Sequence, residues 1–157
     1  MKFSTQLKNI HRDIVFTLII SSLLTMLYDF GWYRYTNIFM NLYLKVYTTI
    51  FLFLLLIFII SKALNIEHYK NIFGKPTTGF HSKRFFKIAI YDLIGTIFIA
   101  VLYTMLTDFT YTNVLKNITR LFLIAEYIHY IFNVNTTVII FIKSIYEAII
   151  SSINIFY

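Results

Sequence analysis

The stretch Ile50-Phe51-Leu52-Phe53-Leu54-Leu55-Leu56-Ile57-Phe58-Ile59-Ile60 decides the fold class. It has no polar residue, no turn residue and no alternation of period two, so it is neither a half-buried strand nor a barrel strand. Extended back to Tyr43, it approaches the roughly 20 apolar residues that a helix needs to cross a hydrocarbon core of about 30 Å. In lipid only helices and closed barrels satisfy their own backbone, so this segment reads as the centre of a transmembrane helix.

Working outward, similar segments run from Asp13 to Phe30, from about Phe85 to Leu106, and from Val114 to Phe132. A fifth, Val138 to Ile155, follows the break at Asn133-Val134-Asn135 and either spans or lies at the interface. The first segment is followed by further spans and shows no small-residue cleavage site, so it reads as a retained helix. The expected fold is all-α: a polytopic transmembrane bundle of four to five helices, forming one membrane domain over residues 1–157. Spans are expected at 13–30, 43–60, 85–106 and 114–132, with a basic loop at 61–84.

Composition agrees. The 157 residues are 59% hydrophobic and 13% charged, with no cysteine and one proline. Ordinary proteins carry about 25% charge. So little charge excludes a disordered chain and cannot cover a soluble domain. The missing cysteines exclude a disulfide scaffold and a zinc–cysteine module. Phe, Tyr, Met, Ile, Asn and Lys, all with A+T-rich codons, supply 82 residues, and Gly, Ala, Arg and Pro only 14. The aromatic excess therefore reflects the genome before it reflects any stacking chemistry.

The +7 net charge is unevenly placed. Lys2, Lys8 and Arg12 precede the first span. Lys62, Lys70, Lys75, Lys83, Arg84 and Lys87 surround the central loop, whereas the other connections hold mainly Asp29 with Arg34 and Asp108 with Lys116. This bias places the N-terminus and the central loop on the cytoplasmic or matrix side. Lys70, Lys75, Lys83, Arg84 and Lys87 are the candidate contacts for anionic lipid. Nucleic acid is not an expected partner, because the basic residues follow the topology of a membrane protein. The run Gly74-Lys75-Pro76-Thr77-Thr78-Gly79 lacks the order of a phosphate loop and reads as a turn.

Two passages echo each other. Leu18-Ile19, Ser21, Asp29-Phe30 and Tyr35-Thr36-Asn37 correspond to Leu93-Ile94, Thr96, Asp108-Phe109 and Tyr111-Thr112-Asn113. Each copy would be a span, an acidic–aromatic corner and a second span, forming a parallel repeat of a two-helix unit.

The polar residues inside the spans are ordered. Asp13, Thr17, Ser21, Thr25 and Asp29 recur every four residues, which keeps them on one slowly drifting helix face. That face is expected to pack against a helix of this chain or of a partner, with Ser and Thr bonding back to their own carbonyls. The third span repeats the idea with Asp92, Thr96, Tyr103 and Thr107, and with Gly95 permitting close approach. The second span has no stripe and is expected to face lipid. The fifth carries Lys143, Glu147, Ser151 and Asn154 on one side, with Lys143 and Glu147 spaced to pair.

Asp92 lies about six residues inside the expected start of its span, roughly 9 Å at 1.5 Å per residue. Glu126 lies about as far from the corresponding end of the antiparallel fourth span, with His129 one turn further. Asp92, Glu126 and His129 are therefore expected at one level, as a polar or proton-exchanging cluster. No spacing motif makes them metal ligands. Asn135-Thr136-Thr137 and Asn117-Ile118-Thr119 match the glycosylation sequon; the first reads better as a helix N-cap.

No nucleophile elbow, phosphate loop, zinc-protease motif or redox cysteine pair is present. The histidines His11, His68, His81 and His129 lack the spacing that would stack haems between helices. The chain is expected not to be an enzyme, to have no catalytic or metal site, and to need no cofactor beyond bound phospholipid.

In its Ile50–Ile60 passage and in the intramembrane Glu126 within Arg120–Tyr130, the chain resembles mitochondrion-encoded hydrophobic subunits of protist respiratory-chain complexes. The likeness is one of overall look and composition and includes no diagnostic motif. The glutamate-bearing helix is faintly similar to that of the small three-helix membrane subunit of complex I. The resemblance implies a non-catalytic transmembrane subunit of a multi-subunit complex in the mitochondrial inner membrane, packed against other membrane subunits. The residues also allow a small homo-oligomeric proton-coupled transporter or exporter, and a small stress or immunity protein of a bacterial inner membrane.

Overall fold

The computed structural model of the chain describes residues 2–71, 79–85 and 88–154. Among these the architecture is helical: α1 (Lys2–Met26), α2 (Phe39–Ala63), α3 (Ile90–Thr107), α4 (Tyr111–Ile131) and α5 (Thr137–Asn154). Short 3-10 turns occupy Gly31–Tyr35, Ile66–Tyr69 and Gly79–Ser82. A small antiparallel hairpin, β1 (Arg84–Phe85) with β2 (Ile88–Ala89), pairs Arg84 with Ala89 and Phe85 with Ile88. The chain divides into two compact units, Met1–Leu64 and Asn65–Tyr157.

In the first unit α1 packs along α2. Thr17, Ser21 and Thr25 are fully buried. Their hydroxyls donate to the carbonyls of Asp13, Thr17 and Ser21 at 2.9, 2.7 and 2.7 Å. Small side chains permit tight packing while each hydroxyl is satisfied inside its own helix. The expected stripe is shorter at both ends. Asp13 is half-buried and lies 4.0 Å from the Arg12 guanidinium. Asp29 is off the helix, because α1 stops at Met26 with its last turn tightened by Leu27 and Tyr28 N–H bonds to Leu24 and Thr25. The exposed Asp29 carboxylate instead accepts the Gly31 N–H at 3.0 Å, and Gly31 takes the positive φ of 50° that this turn requires. Phe30 plugs the connection, with ring centroids of Tyr28, Phe39 and Tyr43 at 5.2, 5.3 and 5.7 Å.

In the second unit α3 and α4 form a hairpin. Its corner is fixed by Thr110, whose side chain accepts the Asn113 N–H at 3.2 Å, and by the Asn113 amide, which donates to the Asp108 carbonyl and carboxylate at 3.2 and 2.9 Å. Deeper in, buried Asn117 donates to Thr104 Oγ1 at 2.9 Å and accepts from Arg120 at 3.0 Å, while Thr104 donates to the Ala100 carbonyl at 2.7 Å. The Asn117–Thr104 bond joins α4 to α3. Gly95, expected to permit close approach, has open space where a Cβ would project. Arg84–Phe85 pairs with Ile88–Ala89 as strands, and α3 begins at Ile90, later than the expected start of the third span at Phe85.

Two of the helices, α2 and α3, are long and apolar enough to cross a membrane, and only 11% of the most apolar window of each is buried. The core helix of a soluble protein would hide such a window. Here Phe53, Leu56 and Ile59 of α2, and Phe98, Ile99 and Met105 of α3, are more than half exposed. Length and composition thus support two crossings where the sequence reading expects four or five. The apolar part of α1, from Asp13 to Met26, is only roughly 21 Å long, and α4 carries Lys116, Arg120 and Glu126 along its length.

Candidate functional site

The site is assembled by the end of α4. Asn133 adopts a left-handed φ of 55°, so that the Asn133 and Val134 N–H groups bond back to Tyr130 and His129 at 3.0 and 2.9 Å. This closes the helix in a Schellman turn and reverses the chain into α5. The sequence reading places the helix N-cap within Asn135-Thr136-Thr137. The structure gives it to Thr136, whose hydroxyl accepts the Ile139 N–H at 3.2 Å. Asn135 instead accepts from the Lys143 ammonium at 2.9 Å, and that ammonium also sits 5.9 Å above the Tyr130 ring. The Thr136 hydroxyl donates in turn to the Glu126 carboxylate. One hydroxyl therefore starts α5 and orients the acidic group of α4.

Below this turn lies a cavity of about 240 Å³, contained entirely within the second unit. Asp92 and Thr96 of α3 and Glu126 and His129 of α4 line it, with Thr136 and Thr137 at the start of α5. Lys70 and Arg84 line it as well, and both are exposed. Asn135 adds an amide, and the rest of the wall is apolar, including Ile88, Leu93, Phe122, Phe132 and Val138. Glu126 is buried and in electrostatic reach of His129 and Asp92. His129 is half-buried, and its Nδ1 is shielded from solvent without a hydrogen-bond partner among the described residues. The structure therefore brings Asp92, Glu126 and His129 to one cavity. The later start of α3 moves Asp92 into the first helical turn, to the end of the helix rather than well inside a span.

The other candidates separate from this cavity. Thr17, Ser21 and Thr25 belong to the internal stripe of α1. Of the basic loop, Lys70, Lys83 and Arg84 are exposed, while Lys75 and Lys87, with the Gly74–Thr78 part of the expected turn, lie outside the described residues. Asn117 is buried in the α3–α4 contact, so its sequon is not presented.

The chain matches no protein-family model, no curated protein and no solved structure. Its functional reading therefore stands on the residues alone. No group of His, Asp and Glu that could hold a metal ion occurs among the described residues.

Two features escaped the sequence reading. The Asn117–Thr104 bond was signalled only by an Asn and a Thr in apolar surroundings, and the spacing rule favoured Tyr103 and Thr107 instead. The Thr136–Glu126 bond joins residues on either side of a helix end, where periodicity carries no information.

Proposed function

We propose that the chain is an integral membrane protein, acting as a non-catalytic transmembrane subunit of a multi-subunit membrane complex. The observation that carries this reading is the exposure of two span-length apolar helices, α2 and α3. Water does not tolerate such surfaces at this scale on a monomer, whereas lipid and partner helices do. The internal satisfaction of the other helices supports further crossings. Arg120 and Glu126 in α4 are held by Asn117 and Thr136, which lowers the cost of placing them in a bilayer, and the buried hydroxyls of α1 are satisfied within that helix. In this reading the N-terminus and the basic central loop face the cytoplasm or matrix, where Lys70, Lys83 and Arg84 meet anionic lipid. A respiratory complex of the mitochondrial inner membrane is the setting that the compositional resemblance favours.

The test is extraction and co-purification from native membranes. The chain should resist alkaline carbonate, dissolve in mild detergent and migrate with other subunits on a native gel. A monodisperse, independently stable homo-oligomer would overturn the subunit reading.

A second reading, a proton-coupled transporter, is favoured by one observation: Asp92, Glu126 and His129 line the same cavity. Reconstituted flux that survives both Asp92→Asn and Glu126→Gln would exclude that role for them.

A further inference from the structure

Most of α2 is apolar, but its first third is not. Asn41, Lys45, Thr48 and Thr49 fall on one side of the helix, at steps of three and four residues, and with Leu44 and Leu52 they line an open groove. All six are exposed. Thr49 donates its hydroxyl to the Lys45 carbonyl at 2.8 Å and is satisfied within the helix. The Asn41 amide, the Lys45 ammonium and the Thr48 hydroxyl hold no hydrogen bond, ion pair or ring contact among the described residues. We propose that this face of α2 is the docking surface for a transmembrane helix of another subunit, one that carries a carboxylate, Asp or Glu, at the level of Lys45.

The inference rests on the membrane-subunit reading above. α2 has 25 residues, roughly 37 Å at 1.5 Å per residue. With the helix centred on a hydrocarbon core of about 30 Å, Lys45 lies about 5 Å inside the core and Thr48 about 10 Å inside. The Lys45 stem can carry its ammonium back to the headgroups. The Thr48 side chain is too short to follow. A lipid phosphate would therefore serve Lys45 alone, whereas a helix laid in the groove can serve both levels, as polar and small side chains do between membrane helices. α2 also runs from Lys45 toward the basic central loop, so Lys45 sits at the end away from the leaflet that gathers anionic lipid.

The missing charge does not come from this chain. Its seven acidic residues engage other groups: Asp29 the Gly31 N–H, Glu67 the Asn133 amide, Asp108 the Asn113 amide and Glu126 the Thr136 hydroxyl. Asp13, Asp92 and Glu147 are occupied as well. A second copy packed on the same face, about a two-fold axis normal to the membrane, brings Lys45 against Lys45. Like charges so placed repel. A carboxylate on a different chain removes both objections, and pairing is how ionisable groups persist within a membrane.

The experiment uses the assembled complex in native membranes. Leu52→p-benzoylphenylalanine places a photoreactive group in the groove while Lys45 and Thr48 stay unchanged. Irradiation should join the chain to another subunit, and sequencing of the joined peptide should find an Asp or Glu in its membrane helix. Adducts with lipid alone, with a second copy of this chain or with a helix that lacks a carboxylate would each overturn the proposal, as would the absence of any protein adduct. Lys45→Leu, a change that favours insertion, should lower the fraction of chain migrating with the complex on a native gel about tenfold, the scale of one lost charge-assisted bond. Lys45→Arg should retain it. A complex undiminished by Lys45→Leu also overturns the proposal. Release of the chain by alkaline carbonate, or its isolation as a stable homo-oligomer, marks failure of the subunit reading instead, so the two failures are told apart.

Discussion

The Thr136 hydroxyl donates to the Glu126 carboxylate while accepting the Ile139 amide at 3.2 Å. A single side chain thus caps α5 and satisfies a buried acid on α4. Thr136→Val keeps the shape and removes both bonds. It should destabilise the second unit by about 1–3 kcal/mol, the combined scale of a lost cap and an unsatisfied buried group. Thr136→Ser should retain most of that stability. Denaturant titration in detergent, followed by circular dichroism, measures both.

The Asn117–Thr104 bond at 2.9 Å makes a second, independent prediction. Asn117→Leu and Thr104→Val should each weaken the α3–α4 hairpin, and the double variant should lose less than the sum of the two. The coupling expected for a hydrogen bond between membrane helices is about 0.6–1.7 kcal/mol. Additive losses would mean that the bond links the helices in geometry only.

The stripe of α1 should behave in the opposite way. Ser21 and Thr25 direct their hydroxyls to carbonyls of their own helix, so these bonds do not join elements. Ser21→Ala and Thr25→Val should each change stability by no more than about 1 kcal/mol, the net scale of one hydrogen bond. Thr25→Leu, which adds volume at a fully buried position, should cost about 1–3 kcal/mol by overpacking.

Gly95 lies within α3 with nothing near the place of a Cβ. In the isolated chain Gly95→Ala should stabilise the helix by roughly 0.5–1 kcal/mol, because glycine is a poor helix former. The same variant also probes assembly. If a partner helix docks on this bare backbone, the native complex will dissociate while the isolated chain gains stability, and both can be read from one pair of native gels and melts.

The chain contains no cysteine, so single cysteines report topology without a background. Lys83→Cys and Phe109→Cys, both at exposed positions near opposite ends of α3, should react with an impermeant maleimide from opposite sides of the membrane. Phe98→Cys, midway between them, should be protected until detergent is added. Labelling of both end positions from one side would exclude α3 as a crossing.

Much of this arrangement was legible in the sequence, for local reasons. The level shared by Asp92, Glu126 and His129 follows from counting residues along two helices joined by a short corner, and errors in that count partly cancel. The stripe at Thr17, Ser21 and Thr25 follows from helical spacing. Spacing does not say where a helix stops, which is why Asp29 looked like a continuation although the chain had already turned at Met26. Phe85 and Ile88 are as apolar as any helix residue, and a short apolar run suits strand and helix alike. Their cross-strand pairing depends on contacts that no periodicity shows. That Thr136 is the residue of Asn135-Thr136-Thr137 to take the cap is a matter of one residue of register at a helix start.

The division of the chain into Met1–Leu64 and Asn65–Tyr157 bears on how the protein is made. Each unit contains a helix pair whose corner is fixed by an acidic side chain from within that corner, Asp29 bonding to Gly31 and Asp108 to Asn113. Neither pair needs distant sequence to close, and such short-range closure is fast. Under the membrane reading proposed above, the first pair would complete and leave the insertion machinery while the ribosome is still translating the second. Biogenesis would then proceed in two strokes of paired helices, limiting the time that any single polar stripe spends facing lipid unaccompanied.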